Sequence, residues 1–115
     1  MIKWAFIAVS KAAEGQVHKS MIRTPQREIT TVLAPDYDAA VQVARQLVDE
    51  GAAMIELCGG VGHIGVARIA QAVPEVPVGV VRFDKHPALE GNSGDDLFCC
   101  SPVPRDSSPR NEARS

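Results

Sequence analysis

Residues 51–83, GAAMIELCGGVGHIGVARIAQAVPEVPVGVVRF, constrain the fold more than any other stretch of the chain. The apolar run Met54-Ile55-Glu56-Leu57 reads as a buried strand, and the segment from Ala53 to Leu57 is taken as its extent. Cys58, Gly59, Gly60 and Gly62 form the turn that follows. Ile64, Val66, Ala67, Ile69, Ala70 and Val73 then recur at helical spacing and leave only Arg68, Gln71 and Glu75 as a narrow polar stripe. Pro74 and Pro77 bracket the exit. Val78 to Phe83 is apolar on both faces until Arg82, as a strand covered on both sides would be. Strand, helix and strand in that order imply parallel pairing through a right-handed crossover. In an open sheet of this kind ligands bind at the carboxyl ends of the strands, which is where Cys58 stands.

The rest of the chain extends the same pattern. Ile2 to Val9 is a strand with Trp4, Phe6 and Ala8 on one face and Ala5, Ile7 and Val9 on the other. Residues 10–26 hold Gly15, Pro25, His18, Lys19 and Arg23, and read as a long exposed loop. Glu28 to Leu33 is a second strand, and its threonines suggest an edge position. Asp36 caps a helix whose stripe is Ala40, Val43, Ala44, Leu47 and Val48, with Asp38 in the first turn and Gly51 as the stop. The expected fold is a small α/β domain over residues 1–98, ordered β-β-α-β-α-β. Its sheet has four mainly parallel strands and two principal helices. From Ser101 onward the only hydrophobic residues are Val103 and Ala113. Residues 99–115 are therefore expected to form a disordered polar tail, because they bury too little to offset their ordering entropy.

Composition excludes several classes of function. The formal net charge is −2 and no run of Lys or Arg occurs, so the basic stripe of a nucleic-acid binder is missing. No stretch approaches the roughly 20 apolar residues that cross a bilayer, so no membrane partner is expected. The N-terminal MIKWAFIAVSKAAEG has the outline of a weak signal peptide, yet reads better as the first strand. Three cysteines, two of them adjacent, make no disulfide framework and point to a reducing cytoplasm. Four strands apolar on both faces need more cover than two helices supply, which implies a homodimer or higher homo-oligomer.

The candidate site gathers around the glycine turn. Cys58 precedes a helix start, where amides attract anions and lower a thiol's pKa. The same cysteine also reads as a small buried hydrophobe. Glu56 shares a strand face with Cys58, and His63 opens the second helix. Cys58, His63 and Glu56 are thus the candidate catalytic residues of a thiol-dependent hydrolase or lyase acting on a small carbonyl substrate, the helix amides holding an oxyanion. Gly59, Gly60, Gly62, Arg82, Asp84 and His86 are the candidate ligand-binding residues. Arg82, Asp84 and His86 share one face if the last strand continues through them, and Glu56–Arg82 would then be a natural ion pair. Cys58, His63, Asp84 and His86 would also suit zinc, but the spacing is common by chance and no metal is assigned. GGVG lacks the Walker lysine and the G-x-G-x-x-G pattern, so no nucleotide loop is expected and no cofactor can be named.

From KWAFIAVS to about Phe98, including DYDAAVQVARQLVDEGA and IELCGG, the chain resembles a family of small bacterial and archaeal proteins known only as a domain of unknown function. That resemblance implies a small α/β domain and carries no reaction or site residue with it. Residues 51–83 are also similar to one β-α-β unit of phosphate- or metal-binding (β/α) barrels, among them the copper-homeostasis barrel proteins. Two readings of function stay open. One is a small-molecule or anion site at Cys58-Gly59-Gly60, with or without catalysis. The other is a non-catalytic oligomeric interaction module in which the turn is only tight packing.

Overall fold

The computed structural model describes residues 1–83 and 86–99. The elements run β1 (Ile2–Val9), β2 (His18–Arg23), β3 (Arg27–Ala34), α1 (Tyr37–Asp49), β4 (Met54–Leu57), α2 (His63–Ala72), β5 (Val78–Val80) and α3 (Gly94–Phe98). The strands form one sheet of five in the order β2-β3-β1-β4-β5. β1 pairs in parallel with both β3 and β4, β4 pairs in parallel with β5, and only β2 and β3 run antiparallel.

The expected sheet of four strands therefore gains a fifth, inside the segment read as a loop. β2 escapes sequence reading because all six of its residues are exposed, so burial imposes no alternation on it. Its order comes from the backbone. Thr24 N–H donates to the Arg27 carbonyl at 2.8 Å across Pro25 and Gln26, and the hairpin so closed sets the register Arg23↔Glu28. Arg23 then binds the Glu28 carboxylate at 2.7 Å. β3, expected at the edge, is covered on that side by β2.

The last strand is shorter than its apolar run, ending at Val80 instead of Phe83. Its only neighbour, β4, stops at Leu57 where the glycine turn begins. Val81 N–H makes a final bond to the Leu57 carbonyl at 3.1 Å, and among the described residues Arg82 and Phe83 join no strand pair. Arg82 and His86 lie outside any described strand, so they do not share the expected strand face. Asp84 itself lies outside the described residues, as does the expected tail from Cys100 onward.

Both principal helices pack on one face of the sheet. Ala5, Ile7, Val9, Val32, Ala34, Ile55 and Leu57 point to that face and join Tyr37, Ala40, Val43, Ala44, Leu47 and Ile69 in one buried cluster. α1 forms where expected: Asp36 accepts from Ala39 N–H at 2.8 Å, and Gly51 takes the left-handed conformation at φ 106° that ends the helix. The opposite face carries Trp4, Phe6, Ile29, Leu33 and Met54, all half-buried and outside the core cluster.

Candidate functional site

The turn after β4 is covered by the chain's own C-terminal segment. The chain leaves β5, makes a bridge between His86 and Asn92, and enters α3 through a capping box formed by Ser93 and Asp96. This strap lies directly on the glycines. A Cβ at Gly59 would fall 2.2 Å from the Phe83 ring, at Gly62 2.4 Å from the Asp95 carboxyl, and at Gly94 1.8 Å from the Gly60 carbonyl oxygen. Glycine at these positions allows protein to approach protein.

Asp95 occupies the start of α2. Its Oδ1 accepts from Ile64 N–H at 3.0 Å and Gly65 N–H at 3.2 Å, and its Oδ2 lies 3.0 Å from Ile64 N. The carboxylate thus satisfies donors that Gly62, the N-cap, leaves without a side-chain partner. Tyr37, fully buried at the first residue of α1, donates its hydroxyl to Asp95 Oδ1 and accepts from Gly62 N–H, both at 2.9 Å. Burial, followed by the neighbouring Asp95, pushes the Tyr37 hydroxyl well above the ordinary tyrosine pKa. The phenol therefore stays protonated and stays a donor. Phe98 closes the network, its ring 5.9 Å from that of Tyr37.

The residues expected to form a site are brought partly together. Cys58 is half-buried, and its Sγ accepts from Gly60 N–H at 3.3 Å. His63 is exposed at the first residue of α2, and its Nε2 faces Arg82 Nη2 at 2.5 Å, so the imidazole is engaged by a guanidinium and not by the thiol. Glu56 is exposed on the open sheet face, with Phe6 and Gly79 as its cross-strand neighbours. The expected Glu56–Arg82 ion pair does not form, because Arg82 lies past the end of β5 and turns toward α2. His86 caps a short turn at Pro87–Leu89 through Nδ1 and packs against Phe83, ring centres 4.7 Å apart. Among the described residues no three His, Cys, Asp or Glu side chains gather as metal ligands would. None of the described helices is long and apolar enough to cross a membrane.

Sequence reading missed Tyr37 and Asp95, the two residues that organise this end of the molecule. A signal for the second was present: Ser93-x-x-Asp96 is the pattern of a capped helix start, which would have placed Asp95 in a first turn. Nothing in the sequence ties that turn to Tyr37, which lies 58 positions earlier.

The model of a family of unknown function, DUF6506, matches residues 2–96. The chain belongs to that family. No curated protein and no solved structure matches it. The DUF6506 match takes in every described element except the end of α3, so the strap and its Asp95 lie within the family's span. The expected membership in a domain family of unknown function holds, and it brings no reaction with it. The α/β architecture is that of the sheet and helices described above.

Proposed function

We propose that this DUF6506 domain acts as a non-catalytic homodimeric interaction module, joined through the sheet face opposite its helices. The observation that carries this reading is the open face itself. Trp4, Phe6, Ile29, Leu33 and Met54 form a contiguous apolar surface, flanked by the more exposed Ile2 and Ile22. Patches of this kind mark association surfaces in soluble proteins.

A second copy is the occupant that fits the charges. Arg27 on β3 stacks over Trp4 at 5.2 Å, and Glu56 stands on β4, on the other side of β1. A twofold axis along β1, lying between the copies, exchanges the two sides. Height along the strands is kept, so each Arg27, level with Ile2 and reaching toward Trp4, comes to the side of the partner's β4, toward but short of Glu56 at the level of Phe6. The apolar row of β1 meets its own copy. Glu56 forms no ion pair within its own chain among the described residues, so a partner guanidinium would be its first.

Sedimentation equilibrium tests the reading. The expected result is a dimer that Phe6→Glu converts to a folded monomer with unchanged helical circular dichroism. A wild-type chain that stays monomeric up to millimolar concentration overturns it.

The rival reading, a thiol site at Cys58 with His63 and Glu56 and with ligand contacts from Gly59, Gly60, Gly62, Arg82 and His86, makes a different prediction. A poised Cys58 labels with iodoacetamide near neutral pH faster than Cys99. If the turn is packing, Cys58 labels no faster than Cys99, which is half-buried as well. The supporting observations for packing are the Asp95 carboxylate on the α2 amides and the pairing of His63 with Arg82.

A further inference from the structure

A second concavity lies on the helix side of the sheet, away from both the open face and the glycine turn. Lys19, Met21 and Arg23 of β2 point to the same side as Glu28, Thr30 and Val32 of β3. α1 passes over β1 and β3 and leaves β2 standing as a wall. Between that wall and the C-terminal end of α1 is a groove of about 320 Å³, floored by the small residues Ala5 and Thr30 and walled by Met21 and Leu47. Small-molecule sites span about 300–1,000 Å³ and combine apolar walls with a few convergent polar groups.

Two buried polar groups on this floor have unused hydrogen-bonding capacity. Thr30 is only 7% exposed, and its hydroxyl has no hydrogen-bond partner within the chain. Glu28 is 8% exposed. Both bonds from Arg23, at 2.7 and 3.1 Å, fall on its Oε1. Its Oε2 has only the Lys3 ammonium, 4.0 Å away and beyond hydrogen-bond length. Neither the Thr30 hydroxyl nor Glu28 Oε2 is sealed from solvent, and both residues line the groove. A hydroxyl can donate and accept, whereas a carboxylate oxygen can only accept. Together they ask for a group that can both donate and accept, such as a ligand hydroxyl.

The rim sets the charge of the rest of the ligand. Lys19 reaches from β2 to Gln46 Oε1 at 3.4 Å, and Lys3 reaches the Glu50 carbonyl at 3.2 Å. Each ammonium has three donors and spends one here, so donors remain for an acceptor in the groove. The lining charges balance, Lys3 and Lys19 against Glu28 and Glu50. Arg23 already pairs with Glu28, however, which leaves the two ammonium groups facing Glu50 alone and disfavours a cationic ligand. We infer that this groove binds a small hydroxylated organic acid. Its hydroxyl bonds Thr30 and Glu28 Oε2, its apolar body lies between Met21 and Leu47, and its carboxylate meets Lys19.

An amide NMR titration of the full chain with para-hydroxybenzoate, and in parallel with benzoate, tests the assignment. The expected result is saturable shifts at the amides of Ala5, Met21 and Thr30, with benzoate binding at least about threefold more weakly because it lacks the hydroxyl. Thr30→Val, which keeps the side-chain shape, should weaken para-hydroxybenzoate by a similar factor and leave benzoate unchanged. No saturable shift at these amides, equal affinity for the two acids, or an indifferent Thr30→Val overturns the proposal. Should Thr30→Val disturb the spectrum of the free protein, the two acids on the unaltered chain decide the matter alone.

Discussion

The two faces of β1 have almost the same hydrophobicity and opposite fates. Ala5, Ile7 and Val9 are sealed under α1 and the core. Trp4, Phe6 and Ala8, their immediate chain neighbours, are left half-buried on a face that no described helix covers. The difference arises from connectivity. The β3-α1-β4 and β4-α2-β5 crossovers both advance in the same direction across the sheet, and right-handed crossovers that advance the same way lie on the same side. One face is thus covered by both principal helices and the other by no described helix. Apolar character on a strand tells that a face will be buried, and topology tells whether the chain's own helices do the burying.

The contrast is broken most directly by cutting both faces to the same residue. Ile7→Ala should cost about 2–5 kcal/mol, since Ile7 is fully buried and leaves a cavity. Phe6→Ala should cost less than about 1.5 kcal/mol in the monomer, because half of its surface term is never gained there. Urea unfolding measures both. Equal losses at low protein concentration would mean that Phe6 is sealed by something within the chain. A Phe6→Ala loss that grows with concentration is the mark of a partner on the open face.

At the carboxyl end of the covered face, the Tyr37–Asp95 network joins the strap to the core. Tyr37→Phe removes one hydroxyl and leaves the Gly62 N–H and one Asp95 bond without it. The expected cost is about 1–3 kcal/mol, accompanied by faster hydrogen exchange at Gly62, Ile64 and Gly65. Unchanged exchange at those amides would show that Asp95 holds the helix start without help.

The smallest effect belongs to the outer surface of the covered side, where Arg45 of α1 binds Glu75 just after α2. Arg45 holds the Glu75 carboxyl down to about 2 from an ordinary 4.5, and the guanidinium is raised in turn. A depressed carboxyl contributes stability above its unfolded pKa and loses it as pH falls toward the folded one. The contribution is therefore present at pH above about 4.5 and fades between there and about 2. Both partners stand in water, so salt should weaken the effect. NMR titration of Glu75 should show the low midpoint, and Arg45→Gln should return it to the normal carboxyl range.

Sequence reading went furthest where periodicity and burial coincide. β1 was legible at both ends, because a run from Lys3 to Val9 is at least half-buried and Ile2 extends its apolar pattern. α1 was legible from its stripe, its Asp36 cap and Gly51. β2 was not, since an exposed edge strand has no burial to write an alternation into its residues. The last strand was overread because Val81 and Phe83 remain apolar after the pairing partner has ended. At the candidate site, the glycine turn and its place at the helix start were visible. What fills it was not, because Asp95 arrives from a segment whose local composition reads only as turns and Phe83 from the end of a run read as strand.

By itself, the sequence determined which residues must leave water and the period at which they recur, and hence the strand–helix–strand units and their parallel pairing. These are local consequences of side-chain spacing. Only the tertiary structure decided which sheet face the helices share, which carboxylate reaches the α2 amides, and where small side chains beside an edge strand leave a groove. Those outcomes depend on contacts between positions tens of residues apart. Such contacts are set by how rigid elements pack in space, and no local pattern of residues encodes them.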